Sequence, residues 1–421
     1  MLNDKELAEI QANPYKQDFP LLARNPHLAF LDSAATAQRP AVVLDAERRF
    51  YETMNANPLR GLYRLSVEAT QAIADARTHI ASFIGATNAE GKPYGDEIIF
   101  TRNASESLNL IAKTLGPITL GPGDDVVISI MEHHSNLIPW QQVCRQTGAN
   151  LVYLRLDNNF YISDEEIEKK IGPNAKIVSI TQVSNVLGVQ TPVTKIAKRA
   201  HEMGAYVVVD GAQSVPHVSV DVKELDCDFL AFSAHKLGGP MGIGVLWGKM
   251  DLLQKLPPFL TGGEMIDSVS ETDAVWAPVP QKFEAGTQDA AGSYAFDADL
   301  TYLEIKGFQS LEARELLLAR YLTEELESLS FIDVIGPTDP KRHIASVSFN
   351  VRGVHPHDVA SILDMNNVCI RAGHHCAQPL LASLGLSSTC RASIAFYNDK
   401  SDIDQLIKAL KQVWQVFHGS N

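Results

Sequence analysis

Two polar residues of this 421-residue chain each follow a short apolar run, and together they could bind an aldehyde cofactor. Asp210 ends the run at residues 206–209, and Lys236 follows the run at 229–232. The Lys236 amine could form a Schiff base with pyridoxal phosphate, and the Asp210 carboxylate could keep the ring nitrogen protonated. Alone, such a lysine is usually a solvated loop residue and such an Asp-Gly pair is usually a turn. Their combination with phosphate-binding features favours the cofactor.

One such feature is the point where the apolar run 97–101 gives way to a predicted helix. Asn103 is expected to cap this helix, with Glu106 three residues later as in a capping box. Free backbone amides at the helix start, together with the Ser105 hydroxyl, could bind a phosphate group. An ordinary capped helix would show the same pattern.

Three further side chains could contact the same cofactor. Ser233 and His235 flank the lysine and could donate hydrogen bonds to the phosphate. Gln213 lies about one helical turn beyond Asp210 and could donate to the phenolic oxygen. His235 could equally be a packing residue, and Gln213 could cap a helix or face solvent.

The stretch 131–136 follows another apolar run, at a position where α/β sheets bind ligands. An imidazole of this stretch could stack on a pyridine ring. A metal site is the alternative, because soft ligands occur in two stretches: His133, His134, His374, His375 and Cys376. Adjacent histidine side chains diverge, and no carboxylate or second cysteine lies at ligand spacing. The sequence therefore predicts no metal site.

The stretch 371–379 contains the cysteine with the most reactive surroundings. Cys376 has histidines on one side and a predicted helix start on the other, and both favour the thiolate. The other cysteines, at 144, 227, 369 and 390, lie in periodic or apolar segments and are expected to be buried and inert. Arg371 and Arg391 lie near predicted strand ends and could bind a substrate carboxylate, although surface arginines are commoner.

The elements that must position these residues begin with seven short apolar, β-branched runs. They lie at 97–101, 125–130, 151–154, 176–180, 206–209, 229–232 and 244–247, with helix-like segments such as 194–203 between them. Runs that are apolar throughout predict strands covered on both faces, and hence a mostly parallel sheet. We expect a doubly wound α/β domain.

The pattern changes after about residue 300. The predicted elements are a long helix at 298–329 broken near Gly307, strands at 344–350, 368–371 and 391–396, and helices at 357–363 and 402–416. They predict a compact α+β domain. We expect a large domain at 29–300, from which residues 262–286 project like a hairpin, and a small domain formed by the N-terminal arm 1–28 with residues 301–421.

Composition limits the partners. The net charge of −14 disfavours nucleic acid and anionic membranes, because both repel an acidic surface. The five cysteines show no Cys-x-x-Cys spacing, and the first 20 residues mix charges with prolines. These features predict a cytoplasmic protein with free thiols. A transit peptide that has already been removed stays an open alternative.

Taken together, the motifs resemble those of the group II, Suf-type cysteine desulfurases. These belong to the class V aminotransferase-like branch of the fold-type I pyridoxal-phosphate enzymes. The likeness runs from about Phe19 to the C-terminus, with motifs in family order at 31–38, 131–136, 183–188, 209–213, 233–236, 239–244, 283–287, 371–376 and 390–393. Two positions depart from the usual pattern: Leu59 replaces a frequent histidine, and Ala234 replaces a frequent glycine.

The resemblance implies a role for each candidate residue. Lys236 would be the Schiff-base lysine, Asp210 the pyridinium partner and Gln213 the contact to the phenolic oxygen. His133 would stack on the cofactor ring. The phosphate would be held by Ala104, Ser105, Ser233 and His235, with Thr287 reaching across from the neighbouring subunit of a homodimer. The substrate carboxylate would be bound by Asn185, Arg371 and Arg391, with Arg60 close to the active site.

The resemblance also implies the reaction. L-Cysteine would become L-alanine, and its sulfur would pass to Cys376 as a persulfide for iron–sulfur cluster assembly, through an acceptor protein of the SufE or SufU type. A selenocysteine lyase on the same scaffold is an alternative, in which Cys376 would be dispensable. A non-catalytic sulfur carrier is a further alternative, although the Lys236, Asp210 and Cys376 set argues against it. A kynureninase-like enzyme is another, although it has no use for a cysteine in the loop of Cys376.

Overall fold

The computed structural model describes residues 2–337 and 339–419. The strands are β1 (Ala29–Phe30), β2 (Ile98–Thr101), β3 (Asp125–Ser129), β4 (Asn150–Leu154), β5 (Ala175–Thr181), β6 (Tyr206–Asp210), β7 (Phe229–Ser233), β8 (Gly244–Gly248), β9 (Ile266–Val269), β10 (Ala274–Trp276), β11 (Ile332–Ile335), β12 (Ser346–Val351), β13 (Val368–Cys369), β14 (Arg371–Gly373) and β15 (Thr389–Ser393).

The helices are α1 (Asp4–Gln11), α2 (Pro20–Arg24), α3 (Ala41–Thr53), α4 (Arg64–Phe83), α5 (Ala104–Thr119), α6 (Ile138–Thr147), α7 (Asp164–Lys170), α8 (Val193–Glu202), α9 (Val222–Leu225), α10 (Met250–Lys255), α11 (Ala290–Lys306), α12 (Phe308–Glu327), α13 (Pro356–Asp364), α14 (Gln378–Ser383) and α15 (Lys400–His418). Short 3-10 turns include His134–Asn136 and Ala234–Lys236. None of the helices in this described part of the chain has the length and apolar composition needed to cross a membrane.

The seven predicted apolar runs form one seven-stranded sheet, in the order β2-β8-β7-β6-β5-β3-β4. β8 is antiparallel to its neighbours β2 and β7, and the remaining pairs are parallel. The prediction of a mostly parallel sheet is therefore confirmed.

Both faces of this sheet are covered, which explains why its strands are apolar throughout. Val126 and Ile128 pack into one buried cluster with residues of α5 and α6, whereas Val127 packs into another with residues of α4 and α8. The helices on the two faces leave the carboxyl ends of the parallel strands together at one edge, where functional side chains can converge.

A second, antiparallel sheet has the order β11-β12-β15-β14 and packs against α12 and α13. The N-terminal α1 packs on α12 and α15, and β1 pairs in parallel with β13. The first residues of the chain therefore pack with its last elements. β9 and β10 form an antiparallel hairpin within the segment 262–286.

Two predicted elements need correction. The break predicted near Gly307 is confirmed, since Gly307 at φ 80° separates α11 from α12, but the helical segment begins at Ala290 rather than at residue 298. α11 begins at Ala290 because the Asp289 side chain caps it by accepting from the Gly292 amide. The strand predicted at 391–396 ends at Ser393, because the amides of Ala395 and Phe396 donate to the side chains of Asn398 and Glu315.

Candidate active site

A cavity of about 300 Å³ lies at the edge where the parallel strands end. β5, β6 and β7 bring Thr181, Asp210 and Ser233 to its wall. All of the predicted site residues line this cavity except Thr287 and Arg60. Residues from both sheets therefore face one space.

Lys236 and Asp210 lie at the base of the cavity. Asp210 is buried, and its Oδ1 accepts from the Ala212 amide at 3.0 Å. Burial raises the pKa of Asp210, while that hydrogen bond and the charge of Lys236 lower it. Burial lowers the pKa of Lys236 to about 8, with Asp210 opposing the shift. A large share of the amine is therefore neutral and nucleophilic slightly above neutral pH.

The start of α5 lines the cavity and is capped as predicted. Asn103 Oδ1 accepts from the Glu106 amide at 3.0 Å, and the Ala104 amide donates to Ser233 Oγ at 2.8 Å. The capping box is only half formed, because the Glu106 carboxylate accepts from the Arg102 amide at 2.6 Å instead of from Asn103. The hydroxyls and amides at this helix start suit a phosphate group.

His133 enters the cavity from the turn after β3. Its Nδ1 accepts from the Ser135 amide at 3.1 Å and lies 3.0 Å from the Ser135 hydroxyl. Burial lowers the pKa of His133 to about 3, with the charge of Lys236 adding to the shift. The imidazole is therefore neutral with its proton on Nε2. Ser135, which sequence reasoning missed, also contacts Ser105, with their hydroxyl oxygens 2.5 Å apart.

His235 and Gln213 complete this end of the cavity. His235 Nδ1 lies 3.2 Å from Thr36 Oγ1, and burial lowers the pKa of His235 to about 4. Gln213 is buried and donates from Nε2 to the Ala34 carbonyl at 2.8 Å. Since an amide nitrogen carries two protons, Gln213 keeps a second donor for a ligand.

The opposite wall is cationic. The Arg391 guanidinium donates to the Asn185 carbonyl at 3.0 Å, and Asn185 Nδ2 donates to the His375 carbonyl at 2.7 Å. Both Arg371 and Arg391 also donate to Asp32. Sequence reasoning gave Asp32 no role; the only signal was its position within the motif at 31–38.

Cys376 lies on the exposed rim of the same cavity. Its amide donates to His374 Nδ1 at 3.1 Å, and its carbonyl accepts from the His134 amide at 2.7 Å. His375 and Cys376 have φ values of 50° and 55°, a left-handed conformation that strains residues with a side chain. Such strain persists where the surroundings impose it, and it concentrates at functional sites.

The other cysteines differ from Cys376. Cys144, Cys227 and Cys390 are buried, as predicted, and burial raises their thiol pKa values, to about 11 for Cys144 and about 12 for Cys390. Cys369 is only partly buried, which corrects the expectation for that residue. None of these four lines the cavity.

Thr287 and Arg60 lie elsewhere in the described chain. Thr287 lines a second cavity of about 250 Å³ together with Arg102. Arg60 is exposed and donates from Nε to Glu264 at 3.0 Å, at the base of the β9–β10 hairpin. Neither Thr287 nor Arg60 therefore lines the first cavity of its own chain.

The donor set fits pyridoxal phosphate. A partly neutral lysine amine, a buried carboxylate, a neutral imidazole and a helix start with hydroxyl groups occupy one cavity. These groups match an aldehyde, a ring nitrogen, an aromatic face and a phosphate. Within residues 2–337 and 339–419, no cluster of three histidine, cysteine or acidic side chains is arranged to hold a metal ion.

Comparisons with known proteins agree with this chemistry. The family model described as "Aminotransferase class-V" matches residues 29–406. A relative from Halalkalibacterium halodurans, described as "Probable cysteine desulfurase", is 46% identical over 411 residues, which are 97% of this chain and 99% of the relative. The apo structure of a cysteine desulfurase from Thermococcus onnurineus NA1 has a TM-score of 0.90 and 39% identity, with 96% of this chain and 98% of that one covered. The cysteine desulfurase CsdA (S-sulfonic acid) from Escherichia coli has a TM-score of 0.87 and 36% identity, with the same coverage.

Proposed function

Because the chain belongs to the aminotransferase class-V family and is a pyridoxal-phosphate-dependent cysteine desulfurase, we propose that Cys376 receives the sulfur of L-cysteine as a persulfide while L-alanine is released. The observation that carries the proposal is that Cys376 lines the same cavity as Lys236 and Asp210. The four other cysteines lie outside it.

The residues at the base of the cavity would hold the cofactor. Lys236 binds its carbonyl, Asp210 keeps the ring nitrogen protonated and the second amide proton of Gln213 is donated to the phenolic oxygen. The neutral His133 ring would stack on the cofactor ring. The phosphate is held by Ala104, Ser105, Ser233 and His235. When bound, the cofactor supplies an electron sink for the charge left by removal of the substrate Cα proton.

The cationic wall would hold the substrate. Arg371 and Arg391, with Asn185, bind the α-carboxylate of L-cysteine and orient its side chain. The neutral Lys236 amine takes the proton from Cα. The Cys376 thiolate then attacks the substrate sulfur, so that an S–S bond forms and the Cβ–S bond breaks. The electron pair of the broken bond stays on the substrate Cβ, which takes up a proton and becomes the methyl group. Lys236 then returns the proton that it took to Cα, and L-alanine is released.

The persulfide would then pass to a protein acceptor of the SufE or SufU type, for iron–sulfur cluster assembly. Support comes from the position of Cys376 on the exposed rim, where a thiol of another protein can reach it.

We propose that this reaction takes place in the reducing cytoplasm. The support is that Cys144, Cys227, Cys369, Cys376 and Cys390 are all free thiols.

We further propose a homodimer in which Thr287 reaches the phosphate held by the neighbouring subunit and Arg60 lies near that subunit's site. Several large apolar side chains are exposed around these two segments: Tyr51, Leu62, Val67, Val275 and Trp276. We take this exposure of large apolar side chains as support for an interface between subunits.

We also propose that the chain divides into a large domain at 29–300 and a small one formed by 1–28 and 301–421, which is supported by the two separate sheets.

The sulfur-acceptor role is tested by Cys376→Ala. We expect L-alanine formation from L-cysteine to fall more than ~100-fold, because the substrate sulfur has no nucleophile to attack it. Persulfide labelling should disappear, while the visible absorbance of the bound cofactor stays, because Cys376 does not hold the cofactor.

Cys369→Ala is the matched control, since Cys369 is also partly exposed but lies outside the cavity. It should keep full turnover. Full L-cysteine turnover by Cys376→Ala would contradict the proposal, and loss of L-cysteine turnover with retained selenocysteine turnover would favour a selenocysteine lyase.

A further inference from the structure

Two arginines face each other on neighbouring strands at the carboxylate end of the cavity. Arg371 of β14 and Arg391 of β15 are direct partners in the antiparallel register, so their side chains leave the same face of the sheet. Arg391 is buried, and burial lowers its pKa to about 10, with Asp32 opposing the shift. Like charges in this arrangement repel each other, and they do so more strongly away from water.

A carboxylate lies between them. Arg371 donates from Nε to both oxygens of Asp32 at 3.2 Å and from Nη2 to Oδ2 at 3.1 Å. Arg391 donates from Nη2 to Oδ1 at 3.3 Å. Asp32 therefore binds one arginine through a bidentate fork and the other through a single charge-assisted bond.

The backbone fixes where Asp32 lies. Residues 29–33 run between β13 and β15: the Leu31 amide donates to the Cys369 carbonyl at 2.9 Å, and the Ser393 amide donates to the Leu31 carbonyl at 2.8 Å. Asp32 is bridged in parallel to Ser393, two residues beyond Arg391. A segment held on both sides in this way cannot move its carboxylate away without breaking backbone hydrogen bonds.

The two arginines still have donors to offer. Arg391 Nε is buried and has no hydrogen-bond partner among the described residues. Arg371 and Arg391 both line the cavity, whereas Asp32 is not part of its wall. The Asp32 carboxylate therefore binds the two guanidinium groups on the side away from the cavity, and it leaves the side that faces the cavity open to a ligand.

We propose that Asp32 is a positioning residue that fixes the two arginines so that their remaining donors form one site for the α-carboxylate of the substrate. This inference rests on the proposed desulfurase function and on the roles of Arg371 and Arg391 in it. Two guanidinium groups with one internal carboxylate keep a single excess positive charge. That excess suits one substrate carboxylate and no further anion.

Asp32→Asn and Asp32→Ala test the inference in the holoenzyme. Asp32→Asn keeps the shape but not the charge, so we expect KM for L-cysteine to rise about tenfold or more with kcat little changed, as for a lost hydrogen bond between charged groups. In Asp32→Ala, added formate should fill the vacated place and lower KM again. Formamide, the neutral analogue, should not.

A second readout is independent of turnover. Formate should raise the melting temperature of the Asp32→Ala apoprotein above that in chloride at equal ionic strength, and it should not do so for the wild-type apoprotein. Asp333→Asn is the matched control, because Asp333 makes an exposed pair with Arg352 on the same small sheet, with 2.7 Å between Arg352 Nη2 and Asp333 Oδ1, away from the cavity. It should leave KM unchanged and show no formate effect.

Unchanged KM in both Asp32 variants, or rescue by formamide as well as formate, would overturn the inference. The wild-type enzyme separates this outcome from failure of the proposed function. If the wild-type protein converts L-cysteine to L-alanine and the variants do so with unchanged KM, only the role of Asp32 is wrong. If the wild-type protein itself releases no alanine, the proposed function is wrong.

Discussion

Removal from water prepares the Lys236 amine for its chemistry. Burial lowers its pKa to about 8, and Asp210 limits the shift by favouring the charged form. An exposed lysine has a pKa of ~10.4, so at pH 8 it would be almost entirely protonated. The cavity therefore provides a neutral amine at a pH where surface lysines are still charged.

Covalent attachment of pyridoxal phosphate to the apoprotein should follow this ionisation. The neutral amine is the nucleophile, so we expect the attachment rate to rise through about pH 8 and to level off above it. Stopped-flow absorbance at several pH values measures this rate. Asp210→Asn should lower the midpoint, because it removes the charge that raises the pKa of Lys236. A midpoint near that of free lysine would show that the amine is solvated.

The sequence predicted those site residues that belong to recognisable motifs. It missed site residues whose partners are distant in the chain. Asp210 ends β6 and Lys236 lies in the 3-10 turn directly after β7, and the carboxyl ends of parallel strands meet at one edge. Asp32 is 339 residues from Arg371, and only the passage of residues 29–33 between β13 and β15 brings them together. No local pattern records such a contact.

Among the elements, β8 has an unusual place. It is antiparallel to both neighbours, and its first residue, Gly244, lies directly under the start of α5. A Cβ atom at Gly244 would lie 2.4 Å from Asn103 Cα and 2.5 Å from its backbone nitrogen. Glycine is therefore required here so that the capped helix start can approach the sheet closely.

Gly244→Ala should affect stability and cofactor binding together. Displacement of Asn103 by the added methyl group should lower the free energy of unfolding by ~2 kcal/mol, as expected for overpacking. It should also weaken pyridoxal phosphate binding, because Ala104 and Ser105 move with the helix start. Urea denaturation and cofactor titration of the apoprotein measure the two effects.

Gly172→Ala is the control for this substitution, since no heavy atom lies within 4 Å of its added Cβ. The free energy of unfolding of the Gly172→Ala protein should change by less than ~0.5 kcal/mol. Unchanged cofactor affinity in Gly244→Ala would show that the helix start does not hold the phosphate.

The seven central strands could be predicted because burial on both faces leaves an unmistakable apolar run at each of them. The start of α11 could not, because it depends on the Asp289 cap within a segment that has no helical periodicity of its own. β15 was predicted too long for a related reason. Residues 394–396 are apolar, but their backbone groups bond to neighbouring segments rather than to a strand.

In the whole molecule, one chain supplies every predicted contact of the cavity except those of Thr287 and Arg60. Thr287 lines a separate cavity, and Arg60 is tied to Glu264 beside the hairpin. In the proposed homodimer, the second subunit would cover the exposed apolar side chains of these segments and both residues would reach the neighbouring site. The sequence predicted this only through resemblance, because contacts between copies leave no periodic pattern within one chain.

Mixed dimers with two affinity tags test the exchange. One dimer carries Lys236→Ala on one chain and Thr287→Ala on the other, and the second carries both substitutions on a single chain. If Thr287 serves the partner's site, the first dimer keeps one complete site, made of Lys236 from one chain and Thr287 from the other. In the second dimer, the site with the intact Lys236 belongs to the wild-type chain, and it receives the Thr287→Ala substitution from its partner. We expect the second dimer to bind the cofactor about tenfold more weakly than the first at the site that keeps Lys236. This factor corresponds to the loss of one hydrogen bond to a charged group.

The opposite ranking of the two mixed dimers would show that Thr287 serves its own chain, and equal affinities would show that it does not contact the phosphate.

The backbone around Cys376 has a consequence for the delivery of sulfur. The Cys376 amide donates to the His374 side chain, and the Cys376 carbonyl accepts from the His134 amide. The φ angle of Cys376 lies in the strained left-handed region. Rotation about a single side-chain bond is then the least costly movement left to the sulfur atom, so the proposed persulfide would stay close to the position where it forms. A proposed acceptor protein would therefore have to bring its own thiol to the cavity rim, and its shape, rather than a movement of the Cys376 loop, would decide which acceptor receives the sulfur.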